Sequence, residues 1–473
     1  MTMMTMLPAV DFAAGETTRE LLWQDETVVH LTNYSAEAIS DADETAIDTA
    51  FLGGRSLAAL TRGDQVVCSE FEAPINRALV AYHNELGIST LRPQDVHGIP
   101  SNWPYTPICD DMVEFMKREP AAARAIIDGA RYMVPFIGSP GSDALAKRYN
   151  LIAETTADAV NIANNKGYLP FAARDFGFLT PPTQRPVNLQ EAERYFSELM
   201  QLGTGNPDVF EPTIWVKLCR SSGGEGVRSF TALQSFLEWI NGAEDGALFR
   251  QSMMSRKFNE GIVLQLGIKG RALDAGPNIN FYVGKSPEDD RDLGASAQAI
   301  ENGSIHVGNK GMLNASDREK ISPVISRVAA WLRSIGYRGV CGIDVIMGED
   351  GRIWVIDVNA RWNASTPTLM LFHNLRQFPG VKAFRYAGKV RVPARVSVQD
   401  VASWLGAQRV GFTPERGGVV PLNLMAAHRP DVGAMAYMNA AIFAPDHETI
   451  RTYFELAHMR PPTQIRHQKS PLP

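Results

Sequence analysis

Cysteine is scarce and scattered in this chain of 473 residues: Cys68, Cys109, Cys219 and Cys341 lie far apart, with no C-x-x-C pair. A zinc clamp and a disulfide framework both need clustered or paired thiols, so neither is expected, and the four read as core residues. The nine histidines are dispersed and none has H-E-x-x-H spacing. Long apolar runs are missing too. The longest candidate, GAMAYMNAAIFAP from Gly433 to Pro445, is a core-strand length, well short of the roughly 18 to 20 residues that span a bilayer. An excess of positive charge is also lacking: 46 Lys and Arg against 52 Asp and Glu leave a net charge of -6. That excludes a partner gripped by neutralising a phosphate backbone, and no nucleic acid or membrane is expected. The opening MTMMTMLPAVDF has neither a basic n-region nor a proper apolar h-region, so a cytoplasmic protein is expected.

What is present is ordinary for a globular chain, 45% hydrophobic and 21% charged, with apolar surface enough for more than one core. TVVHL (Thr27 to Leu31) and QVVCS (Gln65 to Ser69) alternate with helix-like stretches such as INRALVAYHNELG (Ile75 to Gly87), the pattern of a small α/β layer of Rossmann-like type. Asn150 to Gly177 reads as helical, stopped by Gly177 and the prolines after it. TIWVKL (Thr213 to Leu218), GIVLQLGI (Gly261 to Ile268), NINFYVG (Asn278 to Gly284), an amphipathic helix over Asp317 to Gly336 and a hairpin then follow. The expected class is α+β with an α/β N-terminal unit. The expected domains are 1-140, 141-375 and a small α+β unit at 376-473.

The hairpin is GIDVIMGEDGRIWVIDVNAR, Gly342 to Arg361. Asp350-Gly351 is a strong signal for a two-residue type I′ turn. With those two as the loop, Asp344 falls directly opposite Asp357. Alternation then puts Ile343, Val345 and Met347 with Val358, Ile356 and Trp354 on a core face. Asp344 and Ile346 share the other face with Asp357, Val355 and Asn359. Carboxylates so opposed repel across about 4.5 to 5.5 Å between Cβ atoms. A raised pKa on one, a basic side chain between them, or bridging divalent cations could compensate. The apolar neighbours argue against a merely solvated face and favour the cation, with Asp344, Asp357 and Asn359 as hard-oxygen ligands suited to Mg²⁺ and substrate phosphate.

Phosphate needs donors. Lys217 on a strand, followed by SSGGEG from Ser221 to Gly226, supplies a point charge and backbone N–H groups that can approach an anion closely. Other nucleotide motifs fail: the P-loop pattern ending at Gly284-Lys285-Ser286 would need glycine where Ile279 stands, and G-x-G-x-x-G from Gly224 ends on Ser229.

Lys217 with SSGGEGV, then VLQLGI, then GIDVI and VIDVNAR, in that order, resemble the ATP-grasp superfamily. The resemblance covers about Pro135 to Leu375. It implies an ATP-grasp fold behind a pre-ATP-grasp domain, ATP as co-substrate and two Mg²⁺ ions, with Mn²⁺ an acceptable substitute. It also implies that Lys166 and Lys217 hold phosphates while Ser222, Gly223, Gly224 and Gly226 cover them. Gln265, Leu266 and Ile268 then line the adenine and ribose hinge; Gln265 replaces the usual glutamate, and Asp357 is likewise shorter than the usual glutamate. Asp344, Asp357 and Asn359 match the metal ligands, and Arg361 the arginine that holds the acyl phosphate. Lys217 and Arg361 are thus the implied catalytic residues. Within the superfamily the chain most resembles peptide ligases of the pheganomycin type, which implies joining a small carboxylic acid to a peptide or amino-acid amine. Asn278 and Asn280, on one strand face beside the hinge, are candidate substrate contacts, as is Arg361. The oligomeric state stays open, a homodimer included.

Overall fold

The computed structural model describes residues 18–32, 51–101, 108–220, 226–242, 244–255, 260–271, 276–301, 305–393, 396–424 and 435–458. They fall into two units. One is Tyr132–Thr366; the other draws on Phe12–Ser35, Ala42–Arg131 and Pro367–Pro473. The second unit begins with parallel strands β1 (Val28–Leu31), β2 (Gln65–Ser69) and β3 (Val96–Ile99), in the order β3-β2-β1. Val28, Val29, Val66 and Val67 are fully buried, as expected of a sheet covered on both faces.

The Tyr132–Thr366 unit opens with a parallel pair, β4 (Tyr132–Pro135) and β5 (Ile152–Ala153). Asn150 to Gly177 is not one helix. After β5 come a helix Ala157–Ala163, capped by the Thr156 hydroxyl, and a helix Leu169–Phe176, closed by Gly177 in the left-handed region. The break between them is local chemistry: the Asn165 side chain accepts from the Gly167 N–H at 2.9 Å, a short side-chain turn that competes with helix continuation. A four-stranded sheet follows in the order β6-β9-β7-β8, from β6 (Thr183–Gln184), β7 (Phe210–Leu218), β8 (Val227–Phe230) and β9 (Ile262–Ile268). Next come β10 (Pro277–Val283), β11 (Arg291–Glu301), β12 (Ile305–Met312), β13 (Gly339–Met347) and β14 (Ile353–Asn359), an antiparallel array in the order β14-β13-β10-β11-β12. The helix Ala315–Ser334, capped by Asn314, contributes Ile321, Ile325, Val328, Ala329 and Leu332 to the core against that array.

The hairpin β13–β14 keeps the expected opposition of Asp344 and Asp357 but reaches it by another route. The loop is one residue longer than a type I′ turn. Gly351 N–H bonds Gly348 O at 3.0 Å, Gly348 N–H bonds Arg352 O at 2.8 Å, and only Gly351 takes positive φ, at 81°. This is a type I turn with a glycine bulge. Val345 then meets Val355 and Met347 meets Ile353, until a second bulge at Ile356 restores the pairing of Asp344 with Asp357 and Ile343 with Val358. Between the bulges the side chains exchange faces. Ile353 and Val355 join the core in place of Trp354 and Ile356, the consequence of a one-residue register slip. Trp354 packs edge-on against Phe210 instead.

The remaining strands are β15 (Ala383–Pro393), β16 (Gly418–Leu424) and β17 (Met435–Ala444), antiparallel in the order β15-β17-β16. They bury Val390, Val419, Met438 and Ile442 together with Leu79 from the helix Ala73–Glu85, and His83 of that helix bonds Pro421 O at 2.7 Å. Residues placed apart at 1-140 and 376-473 by the sequence thus share a core, because that helix turns its apolar face to the later strands. All four cysteines are buried and free. Among the described residues no helix is long and apolar enough to cross a membrane.

Two glycines separate backbone freedom from crowding. A Cβ on Gly351 would meet nothing within 4 Å, whereas one on Gly342 would lie 1.4 Å from Asn363 Nδ2. Gly351→Ala is expected to cost about 1 kcal/mol of left-handed strain. Gly342→Ala should cost roughly 1–3 kcal/mol or more from overpacking. Denaturant midpoints of the two variants check the order.

Candidate functional site

The antiparallel register lines up polar residues across the sheet. Asp357 on β14 faces Asp344 on β13, which faces Asn278 on β10, which faces Ser296 on β11. Each of these residues sits among apolar neighbours of the same strands, so the polar row is local to this face.

Compensation for the opposed carboxylates is built into the protein. Lys166 Nζ lies 3.1 Å from Asp357 Oδ2. The turn carrying Lys166 is pinned at both sides: its own N–H bonds Cys219 O at 2.9 Å, just past β7, and Asn164 Oδ1 accepts from Ala360 N–H at 2.7 Å, just past β14. Asp344 is held by neutral amides. Its Oδ1 accepts from Asn278 at 2.7 Å and Gln298 at 2.5 Å, and its Oδ2 from Asn359 at 3.1 Å. Burial, then the Asp357 charge, push the Asp344 carboxyl up from 3.8 to about 6, with the Asn278 and Asn359 N–H groups opposing. Of the three compensations open at the sequence level, the protein therefore carries the basic side chain and the raised pKa itself.

Lys217 and Gln265 share a face of the second sheet. Lys217 Nζ donates to Gln265 Oε1 at 2.6 Å, and Gln265 Nε2 donates to Thr183 Oγ1 at 3.2 Å. Burial, opposed by the Asp357 charge, aided by Lys166 and opposed again by Asp344, leaves the Lys217 ammonium lowered to about 8. Lysines from two elements and carboxylates from two strands thus act electrostatically on one another.

Gln265 is turned to Lys217, as an amide in the place of a carboxylate. Leu266 lies in the apolar core beneath this sheet, and its N–H is already bonded to Pro182 O at 2.9 Å. Ile268, at the end of β9, pairs with Phe210. Ser222, Gly223 and Gly224 lie outside the described residues. Gly226, at φ 65°, gives its carbonyl to Leu218 N–H at 2.9 Å, and a Cβ there would lie 2.6 Å from Leu218 Cδ1.

Asn278 and Asn280 are both buried, and their amides are engaged with protein groups. Asn280 is fully buried, and its amide bonds Asn278, Ser365, Thr366 and Asn363. The row that brings Asn278 beside Asp344 also turns Asn280 into the space above Gly342. Arg361, 8% exposed, donates to Asn359 Oδ1 at 3.0 Å, Asn363 Oδ1 at 3.1 Å and Trp362 O at 3.1 Å. Sequence reasoning missed Gln298 and Thr183, and it offers the stretch from Arg361 to Thr366 as a source of substrate contacts without assigning chemistry to Asn363, Ser365 and Thr366. The run WNAST after Arg361 is the one signal that could have pointed to the last three.

Asp344 and Asp357 form a hard-oxygen pair on a half-buried face that fits a divalent cation, while the Asn359 amide oxygen accepts from Arg361 and keeps its second lone pair for one. Among the described residues no group of three or more His, Cys, Asp and Glu is gathered as a metal cluster. Mg²⁺ takes one or two carboxylates and completes its shell with phosphate and water.

Residues 211–365 match the family described as ATP-grasp domain; this segment contains Lys217, Gln265, Asp344, Asp357, Asn359 and Arg361. No curated protein matches the chain. Among solved structures, an N5-carboxyaminoimidazole ribonucleotide synthetase in its ADP complex is similar over 92% of this chain and 96% of its own, with TM-score 0.55 and 9% identity. A Campylobacter jejuni biotin carboxylase bound to an ATP-type ligand is similar over 91% and 90%, at 0.53 and 12%. A carboxyaminoimidazole ribonucleotide synthase from Aspergillus clavatus complexed with ATP is similar over 92% and 97%, at 0.52 and 12%. Likeness at such identities is likeness of fold, and the fold is ATP-grasp.

The Asp344 shift sets a pH dependence. The native state binds its proton more tightly than the unfolded chain does, so between about pH 4 and 6 folding takes up a proton and stability falls as pH rises. At 1.36 kcal/mol per pKa unit the change is on the order of 3 kcal/mol. Buried Glu72, raised to about 8, adds a slope of the same sign at higher pH. Unfolding of the chelator-treated protein across pH 4–8 should therefore lose the lower part of this slope in Asp344→Asn.

Proposed function

We propose that the protein is an ATP-dependent carboxylate–amine ligase that works through an acyl phosphate. The observation that carries this reading is the convergence of Lys166, Lys217 and the Asp344–Asp357 pair, within a chain whose fold is ATP-grasp. In the proposed reaction a substrate carboxylate attacks the γ-phosphate of ATP, ADP leaves, and an amine displaces phosphate to form an amide. No protein nucleophile is needed.

Asp344, Asp357 and Asn359 would hold two Mg²⁺ ions, which neutralise charge between the β- and γ-phosphates. Lys217, held by the neutral Gln265, presents its ammonium to a phosphate with no carboxylate bond to break first. Lys166, now paired with Asp357, would be free to contact phosphate were that carboxylate to hold a cation. Arg361, anchored through Asn359 and Asn363, stabilises the oxyanion formed as the amine adds. Water must be kept from the acyl phosphate, which hydrolyses if exposed.

The substrate pairing we favour is an amino-acid-like acid joined to the amino terminus of a peptide, in the manner of pheganomycin-type natural-product enzymes, acting in the cytoplasm. It rests on the resemblance of DVNARWNAS and the arrangement of units. Dipeptide formation, carboxylation of an amine by bicarbonate, and ATP binding without catalysis are the competing outcomes.

ADP release with Mg²⁺ and ATP, against a panel of amino acids, bicarbonate and peptides, separates them. The ligase reading expects sustained release only when both an acid and an amine are present; a regulator releases none under any pairing. Lys217→Ala and Asp357→Ala should each reduce release by roughly 10²–10³-fold. Arg361→Ala should lose amide formation more than ATP binding. Wild-type turnover in Asp357→Ala would refute the metal assignment.

A further inference from the structure

Asparagine amides join Arg361 to Asp344 by two routes. On the short one, Arg361 Nη2 donates to Asn359 Oδ1 at 3.0 Å and Asn359 Nδ2 donates to Asp344 Oδ2 at 3.1 Å. On the long one, Arg361 Nη1 donates to Asn363 Oδ1 at 3.1 Å, Asn363 Nδ2 to Asn280 Oδ1 at 3.3 Å, Asn280 Nδ2 to Asn278 Oδ1 at 2.8 Å, and Asn278 Nδ2 to Asp344 Oδ1 at 2.7 Å. The two arms close a ring with a cation at one end and a carboxylate at the other.

Chemistry fixes the direction of every link. A guanidinium only donates, so Asn359 and Asn363 must turn their oxygens to Arg361; an ionised carboxylate only accepts, so Asn278 and Asn359 must turn their nitrogens to Asp344. Asn280 is then forced between its neighbours, and reversing any one amide would set two donors or two acceptors face to face. Hydrogen bonds aligned head to tail polarise one another, more so where water is excluded. Asn280 and Asn363 are 0% and 4% exposed. Space for the long arm exists because position 342 is glycine, over which Asn363 lies.

We propose that this ring is a positioning device: Asn278, Asn280 and Asn363 hold the Asp344 carboxylate in the orientation that binds the cation and tie it to the position of Arg361. The proposal rests on the reading of Asp344 as a cation ligand. Asn280 and Asn363 touch neither cation nor substrate in that reading, so they act only through the ring. Removal of such outer partners from ligating carboxylates lowers metal affinity by about 10–100-fold.

The test is Mn²⁺ affinity, measured by paramagnetic resonance on the full chain with ADP present, together with thermal melting to confirm folding. Asn280→Leu and Asn363→Ala cut the long arm at different links. Each is expected to weaken Mn²⁺ binding about tenfold, and the double variant scarcely more, since one cut already opens the arm. Ser365→Ala, equally buried but bridging Asn280 and Asn278 only from the side, should stay within about twofold of wild type. Unchanged affinity in either folded cut variant, full additivity in the double variant, or an equal loss in Ser365→Ala would each overturn the ring. Should Asn280→Leu not fold, Asn363→Ala decides alone. If the wild type itself binds no Mn²⁺, the functional reading fails and the ring's proposed task with it.

Discussion

Two carboxylates face each other across adjacent strands of one hairpin, and much of the unit around them answers that repulsion. Asp344 and Asp357 are paired by register, not by chance proximity, so neither can move away without slipping the hairpin and turning apolar residues out of the core. The surrounding chain supplies a lysine to one and amide donors to the other. Lys166 stands at Asp357 because its turn is fastened to the ends of both β7 and β14. The same two fastenings bring the lysine of one sheet region next to the acids of another.

Neutral donors are the second theme. Asp344 is surrounded by Asn278, Gln298 and Asn359 rather than by arginine or lysine, and Lys217 is held by Gln265 rather than by a carboxylate. Amides orient charged groups without cancelling them, so the charges remain available to a ligand of opposite sign. A fully salt-bridged cluster of the same shape would have to be broken before phosphate or cation could enter, at the desolvation cost that buried charges carry. The Lys166–Asp357 contact is the ion pair that such binding exchanges.

Much of this was legible in the sequence. The Asp-Gly turn places Asp344 opposite Asp357 even though the loop is a residue longer than a type I′ turn, because the bulge at Ile356 takes the extra residue back. The acid pairing survived because the two shifts cancel beyond Ile356, while Ile353, Val355, Trp354 and Ile356 between them changed faces. Alternation cannot foresee a bulge, which is set by local backbone geometry. Periodicity alone places Lys166 in a continuous helix, because Asn164 and Asn165 do not disturb the apolar pattern, and only their side-chain bonds show where the helix stops. Asn363, Ser365 and Thr366 carried no periodic signal at all, and Gln298 looked like any polar residue of a strand; what marks them is their hydrogen-bond partners, which come from distant segments.

The central claim is that the hairpin acids hold divalent cations beside bound nucleotide phosphates. A crystal structure with ADP and Mn²⁺, phased to show manganese by anomalous scattering, tests it most directly. The account predicts manganese about 2.0–2.3 Å from oxygens of Asp344 and Asp357, with Lys166 moved from Asp357 onto a phosphate. Manganese bound elsewhere, or Lys166 still paired with Asp357 beside an occupied nucleotide site, would contradict it.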